Sequence, residues 1–166
     1  NEPSIVGDEL KFIEDAISRQ QLSGDGYYTE LCQNWINQKV GCAASLLTHS
    51  CTAALEMAVI LAGVGPGDEV IMPSYTFVST ANAVVLRGGI PVFVDTREDT
   101  LNLDESLVEA AITDRTKAIM TVHYAGVCSE LQALKEICEK HDLFLIEDAA
   151  QALGSTYFGA QAGSIG

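Results

Sequence analysis

The sequence predicts an α/β fold with a mostly parallel sheet flanked by helices. Two observations point there. Short apolar runs alternate with segments of helical spacing, the pattern of βαβ units. The apolar runs are also nearly continuous rather than alternating, as strands buried on both faces require. The chain has 166 residues, enough for one domain with a core of its own.

The predicted strands are Ala43–Leu47, Glu69–Met72, Pro91–Val94, Ala118–Val122 and Phe144–Glu147, each bounded by Gly, Pro, Asp or a basic residue. Helical spacing covers Ser50–Leu61, where Leu55, Val59 and Ala62 share a face, and Phe77–Leu86. A further helix spans Asp104–Ile112 behind an N-cap Asp, with Leu107, Val108 and Ala111 inward. Another spans Ser129–Lys140, carrying Leu131, Leu134, Ile137 and Cys138. Gly65-Pro66-Gly67-Asp68 and Arg87-Gly88-Gly89 close helices. The first forty residues read as helical around the break Ser23-Gly24-Asp25-Gly26, and Gly154–Gly166 reads as a turn-rich segment that closes no domain.

Composition narrows the function. Apolar residues make up 48% and charged residues 19%, a globular balance. No apolar run reaches membrane-span length, and no signal peptide is visible at Asn1–Asp8. A net charge of -14 repels phosphate backbones and argues against nucleic acid as a partner. The 5 cysteines form no Cys-x-x-Cys and no zinc spacing with histidine, so no metal site is expected. They read as reduced thiols of a cytoplasmic protein.

Four segments can carry chemistry. Thr48-His49-Ser50-Cys51-Thr52 follows a strand and opens a helix, so its first-turn amides lack intrahelical acceptors and face outward as an anion cup. The same pattern also suits simple capping by Ser50 or Thr48. Cys51 reads as a small residue in that turn rather than a nucleophile. Leu145-Ile146-Glu147-Asp148-Ala149-Ala150-Gln151 places two acids at a strand's carboxyl end, where open α/β sheets bind ligands. Strand alternation puts Glu147 on the opposite face from Asp148, so one of the two is expected to serve; Asp148 suits a cationic ligand group, and the pair equally suits an acidic cap on the following segment. Met72–Asn82 enters a helix with Tyr75 and Phe77, which suit either a core or a stack on a flat ring. His123-Tyr124-Ala125-Gly126 ends the fourth strand at the same sheet edge.

Together these motifs resemble the DegT/DnrJ family of sugar aminotransferases. The resemblance rests on Gly65-Pro66-Gly67-Asp68-Glu69-Val70, Pro73-Ser74-Tyr75-Thr76-Phe77, Val92-Phe93-Val94-Asp95, His123-Tyr124-Ala125-Gly126 and Glu147-Asp148-Ala149-Ala150-Gln151, in that order. It runs from Ser23 to Gly166. It implies that residues 1–166 are the N-terminal part of a pyridoxal-phosphate-binding large domain of fold type I. The Cys51-Thr52 form of the cup is most similar to the branch that makes dTDP-4-amino-4,6-dideoxygalactose for enterobacterial common antigen.

The resemblance also assigns roles. Cys51 and Thr52 bind the cofactor phosphate, Phe77 stacks on its ring, Ala150 packs against the ring, Asp148 pairs with the ring nitrogen and Gln151 approaches the ring hydroxyl. His123 and Tyr124 are expected in the substrate pocket, and the Gly24–Gly26 loop is expected to serve a neighbouring subunit of a homodimer. Glutamate is the expected amino donor and a dTDP-4-keto-6-deoxy sugar the acceptor. The Schiff-base lysine is expected beyond Gly166, because Lys11, Lys39, Lys117, Lys135 and Lys140 lie in no matching context. No catalytic residue is therefore assigned within 1–166. A chain ending there reads alternatively as a non-catalytic remnant, or as part of a family member that dehydrates sugars with histidine at the lysine position.

Overall fold

The computed structural model describes residues 4–166. They divide into two compact units that meet in sequence between Leu47 and Thr48.

The N-terminal unit holds helices α1 (Glu9–Ser18) and α2 (Tyr27–Val40), neither with a buried residue. Phe12, Tyr27 and Tyr28 cluster edge to face, and the Arg19 guanidinium lies 3.8 Å from the Tyr27 ring centroid. The Tyr28 hydroxyl donates to Asp15 Oδ2 at 2.8 Å, which ties the two helices together. Helix α2 ends at Gly41, whose left-handed backbone (φ 79°) returns its N–H to the Asn37 carbonyl. The expected strand Ala43–Leu47 does not form. A strand exists only within a ladder, and among the described residues nothing pairs with this segment's backbone. Instead Ser45 Oγ donates to the Gln33 carbonyl at 3.0 Å.

The second unit builds the expected α/β layer structure. It contains α3 (Cys51–Leu61), β1 (Glu69–Pro73), α4 (Val78–Val85), β2 (Ile90–Val94), α5 (Glu105–Val108), β3 (Thr116–Val122), α6 (Leu131–His141), β4 (Phe144–Asp148) and a hairpin of β5 (Thr156–Tyr157) and β6 (Ala160–Gln161). All four strands of the main sheet run parallel, in the order β2-β1-β3-β4. The helix expected over Asp104–Ile112 forms as α5 and then tightens into a 3-10 turn at Glu109–Ala111. Asp104 caps it as expected, accepting from the Ser106 N–H at 3.0 Å.

Strand alternation divides the core. Val70 and Met72 of β1 and Ala118 and Met120 of β3 face Leu55 and Val59 of α3 and Ala83 and Val84 of α4. Ile71 and Ile119 face the other way, onto Val108, Leu134 and Cys138. Burial on both faces holds for the central strands β1 and β3. The outer strands β2 and β4 are only partly covered, having a neighbour on one side alone. Chain order reverses between β1 and β3, so the carboxyl ends of those strands bound a crevice.

Candidate active site

That crevice is a cavity of about 220 Å³. Its lining comes from the start of α3 (Cys51, Thr52), the β1–α4 turn (Phe77), the end of β3 (His123, Tyr124) and the end of β4 (Asp148, Ala150, Gln151). The eight residues expected to bind cofactor or substrate therefore reach one space, although 97 residues separate Cys51 from Asp148.

The α3 start is an open donor site. Ser50 is the N-cap, with extended backbone, and its Oγ accepts from the Ala53 N–H at 3.2 Å. The amides of Cys51 and Thr52 have no acceptor among the described residues. Capping and two unpaired amides thus coexist in one turn. The Thr52 hydroxyl is 2.7 Å from Ser79 Oγ, so α3 and α4 meet through hydroxyls at this wall.

Asp148 is 5% exposed, and its neighbours are all neutral donors. Oδ1 accepts from the Ala150 N–H at 3.2 Å and lies 3.6 Å from the Cys51 thiol. Oδ2 accepts from the Thr80 hydroxyl at 3.2 Å. Among the described residues no lysine or arginine lines the cavity. A buried carboxylate normally has a cation beside it, and this one faces open space instead. Cys51 is exposed as a residue, yet its sulfur lies against Asp148. Burial of the thiol, the carboxylate charge and their hydrogen bond push it up to about 11. It stays protonated at neutral pH and is no thiolate nucleophile.

Gln151 Oε1 accepts from the Ala125 N–H at 2.7 Å, which leaves its amide NH2 to donate elsewhere. Gly126 makes this packing possible, because a Cβ there would lie 3.1 Å from the Gln151 carbonyl oxygen. The Tyr124 hydroxyl is 2.9 Å from that of Tyr75, with ring centroids 4.8 Å apart. Tyr75 does not line the cavity, whereas Phe77 does and is 71% exposed. His123 reaches the cavity with both nitrogens already engaged. Nδ1 accepts from the Ser129 N–H at 3.2 Å and Nε2 meets Glu147 Oε2 at 2.8 Å. Glu147 points away from Asp148, as alternation requires.

Leu55, Thr76, Ser79 and Val122 also line the cavity, and Thr80 touches Asp148 behind it. The sequence reading passed over them. The signal was present in Met72–Asn82, whose hydroxyls at 76, 79 and 80 recur at helical spacing around the aromatic residues that drew attention. Among the described residues no cluster of His, Cys, Asp and Glu could hold a metal ion, and no helix is long and apolar enough to cross a membrane.

Strand carboxyl ends ringing a crevice at a reversal of chain order define a ligand-binding α/β domain of the doubly wound class. The chain belongs to the DegT/DnrJ/EryC1/StrS aminotransferase family, whose pattern it matches over residues 3–166. A GDP-perosamine synthase of Caulobacter vibrioides is 38% identical over 164 residues, 99% of this chain and 44% of that protein. The aminotransferase from Psychrobacter cryohalolentis superposes with a TM-score of 0.95 at 32% identity, over 100% of this chain and 42% of that one. NtdA from Bacillus subtilis, solved with bound cofactor PMP, gives 0.84 at 35% identity, over 95% and 37%. The observed fold is thus the expected partial aminotransferase fold, and the chain spans less than half the length of each of these relatives.

Proposed function

We propose that the complete protein is a pyridoxal-phosphate-dependent aminotransferase acting on a nucleotide-linked keto sugar. The observation that carries this reading is the cavity itself. A buried carboxylate without a cationic partner faces the same space as two free helix-start amides and the exposed ring of Phe77. The residues fit a flat cationic ring with an anionic tail. Asp148 would hold the ring nitrogen protonated, and the amides of Cys51 and Thr52 would take the phosphate at the positive end of α3. Phe77 and Ala150 would cover the ring faces, and the Gln151 NH2 would donate to the ring hydroxyl. When bound, the cofactor supplies the electron sink that lets the donor amino acid lose its α-proton.

The proton-moving lysine is proposed to follow Gly166. His123, held by Ser129 and Glu147, and Tyr124 are proposed to line the substrate pocket. Glutamate is proposed as amino donor, the homodimer as the working assembly and the cytoplasm as the compartment. The acceptor is proposed to be a dTDP-4-keto-6-deoxy sugar, supported by the Cys51-Thr52 form of the cup. The name of the Caulobacter relative makes a GDP-linked sugar the competing acceptor.

The test is the complete protein loaded with pyridoxal phosphate. The expected result is a near-visible absorbance band of bound cofactor, lost in Asp148→Asn, and glutamate-dependent amination of the dTDP-linked sugar in preference to the GDP-linked one. No bound cofactor at saturating concentration would end the proposal. Preference for the GDP-linked sugar would change the acceptor only.

A further inference from the structure

Asp148 Oδ2 has one hydrogen-bond donor among the described residues, the hydroxyl of Thr80. Thr80 is fully buried in the first turn of α4, 68 residues away in sequence. Its Oγ1 also lies 2.7 Å from Thr76 Oγ1. A carboxylate cannot donate, so the Thr80 hydrogen points to Oδ2. Its oxygen is then left to accept from Thr76. The two threonines thus form a directed chain that starts at Thr76, on the cavity wall, and ends on the carboxylate. The Ala150 N–H donates to the other oxygen, Oδ1, at 3.2 Å.

We infer that Thr80 is a positioning residue: its hydroxyl, oriented by Thr76, locks the Asp148 carboxylate toward the cavity in the form that a ring nitrogen needs. The inference rests on the proposed pairing of Asp148 with the cofactor and adds the group that makes the pairing strong. Three features support it. A hydrogen bond donated to a carboxylate favours its charged form, and a charged partner keeps a bound pyridine nitrogen protonated. A fully buried hydroxyl has no water to turn to, so its orientation is fixed. Helix α4 carries no titratable residue, so nothing on that side competes with Thr80 for the carboxylate. The other titratable groups around this cavity are Cys51 of α3, His123 and Tyr124 after β3, the latter paired with Tyr75, and Glu147 of β4. Glu147 points away, and His123 is spent on Glu147 and Ser129.

The experiment uses pyridoxamine phosphate, which binds without a lysine bond, labelled with 15N in the ring. It is added to the complete apo protein and to its Thr80→Val, Thr80→Cys and Thr80→Ser variants. The readouts are the pH at which the ring nitrogen loses its proton and the dissociation constant. In Thr80→Val the ring is expected to deprotonate about one pH unit lower and to bind about 10-fold more weakly. Thr80→Cys, a poorer donor, is expected to fall between, and Thr80→Ser to match the wild type. A ring midpoint unchanged in both Val and Cys variants overturns the inference, as does a Ser variant as impaired as Val. If Val does not fold, the Cys and Ser comparison decides. Wild-type protein that binds no pyridoxamine phosphate removes the functional proposal and this inference together. Tight binding with an insensitive midpoint removes the inference alone.

Discussion

His123 Nε2 and Glu147 Oε2 lie 2.8 Å apart with both side chains almost fully buried. The Ser129 N–H occupies Nδ1, so the ring hydrogen sits on Nε2 and points at the carboxylate. Glu147 also accepts from the backbone N–H groups of Gly163, Ile165 and Gly166. One acid thereby ties the end of β3 and the segment after β6 to β4, directly beneath the candidate site.

Burial pushes the Glu147 carboxyl up, but hydrogen bonds from His123, Gly163, Gly166 and Ile165 outweigh it and hold the group below the ordinary glutamate value of 4.5. A depressed folded-state value stabilises the protein fully above that ordinary value. The contribution is lost as pH falls through the lower folded value. Glu147→Gln is expected to cost about 2–4 kcal/mol at neutral pH, since it leaves buried donors facing an amide. It is also expected to flatten the acid limb of stability. Urea melts at neutral and acid pH check both. Equal loss at both pH values would remove the electrostatic account.

The two faces of the sheet give a second prediction. Met120 belongs to the layer under α3 and α4, and Leu134 to the layer under α6. Both are fully buried. Met120→Ala and Leu134→Ala are each expected to cost about 2–5 kcal/mol. Lying on opposite sides of the sheet without a shared cluster, the two losses are expected to add within about 0.5 kcal/mol in the double variant. Equilibrium denaturation of the three variants measures this.

The fold of the second unit was legible because each helix carried its own period and each strand was a short apolar run with its own stop. Leu55 and Val59 fall on one helix face, and Ile71 falls opposite Val70 and Met72, from local pattern alone. Ala43–Leu47 misled for the complementary reason. Its residues suit a strand, but pairing is a property of neighbours, and none of the described residues pairs with it. The candidate site was legible at its strand ends, where Asp148 and Tyr124 follow apolar runs. What joins them was not. The Thr80 bond to Asp148 spans 68 residues, and the His123 bond to Glu147 spans 24. Glu69 opens the predicted strand Glu69–Met72, and its burial beneath Arg115 and Thr113 is not written in that strand. Such pairings are set by how the sheet is ordered, which no local window contains.

Gly89 marks a close approach that no side chain can share. A Cβ built there would lie 2.8 Å from Val84 Cγ1 and 2.9 Å from Val64 Cγ1, with the Asp68 carbonyl oxygen at 3.3 Å. Both valines are themselves packed in the core, so neither can move away freely. Gly89→Ala is expected to destabilise by about 1–3 kcal/mol through overpacking where the chain enters β2. The Gly89→Ala, Val64→Ala double variant, which opens room for the methyl, is expected to lose less than the two single changes combined. A double-variant cycle in thermal or urea unfolding checks the sign of the coupling.

Cys51 gives a reactivity prediction that reads the electrostatics of the candidate site directly. Burial, the Asp148 charge and the hydrogen bond to it push the thiol up to about 11. At neutral pH about one molecule in ten thousand then carries the thiolate, roughly 300-fold fewer than for a free cysteine near 8.5. Each thiolate is more basic and so about 10-fold more nucleophilic toward disulfides, which leaves a net rate about 30-fold below that of a free thiol. Peptide mapping after timed exposure to a disulfide reagent isolates Cys51 from the other four cysteines. Its rate is expected to rise about tenfold per pH unit without levelling below about pH 10. Asp148→Asn removes the neighbouring charge that holds the proton on sulfur, so Cys51 is expected to react several-fold faster in that variant at neutral pH. A rate that levels off near pH 8, or one indifferent to Asp148→Asn, would show that the carboxylate does not act on the thiol beside it.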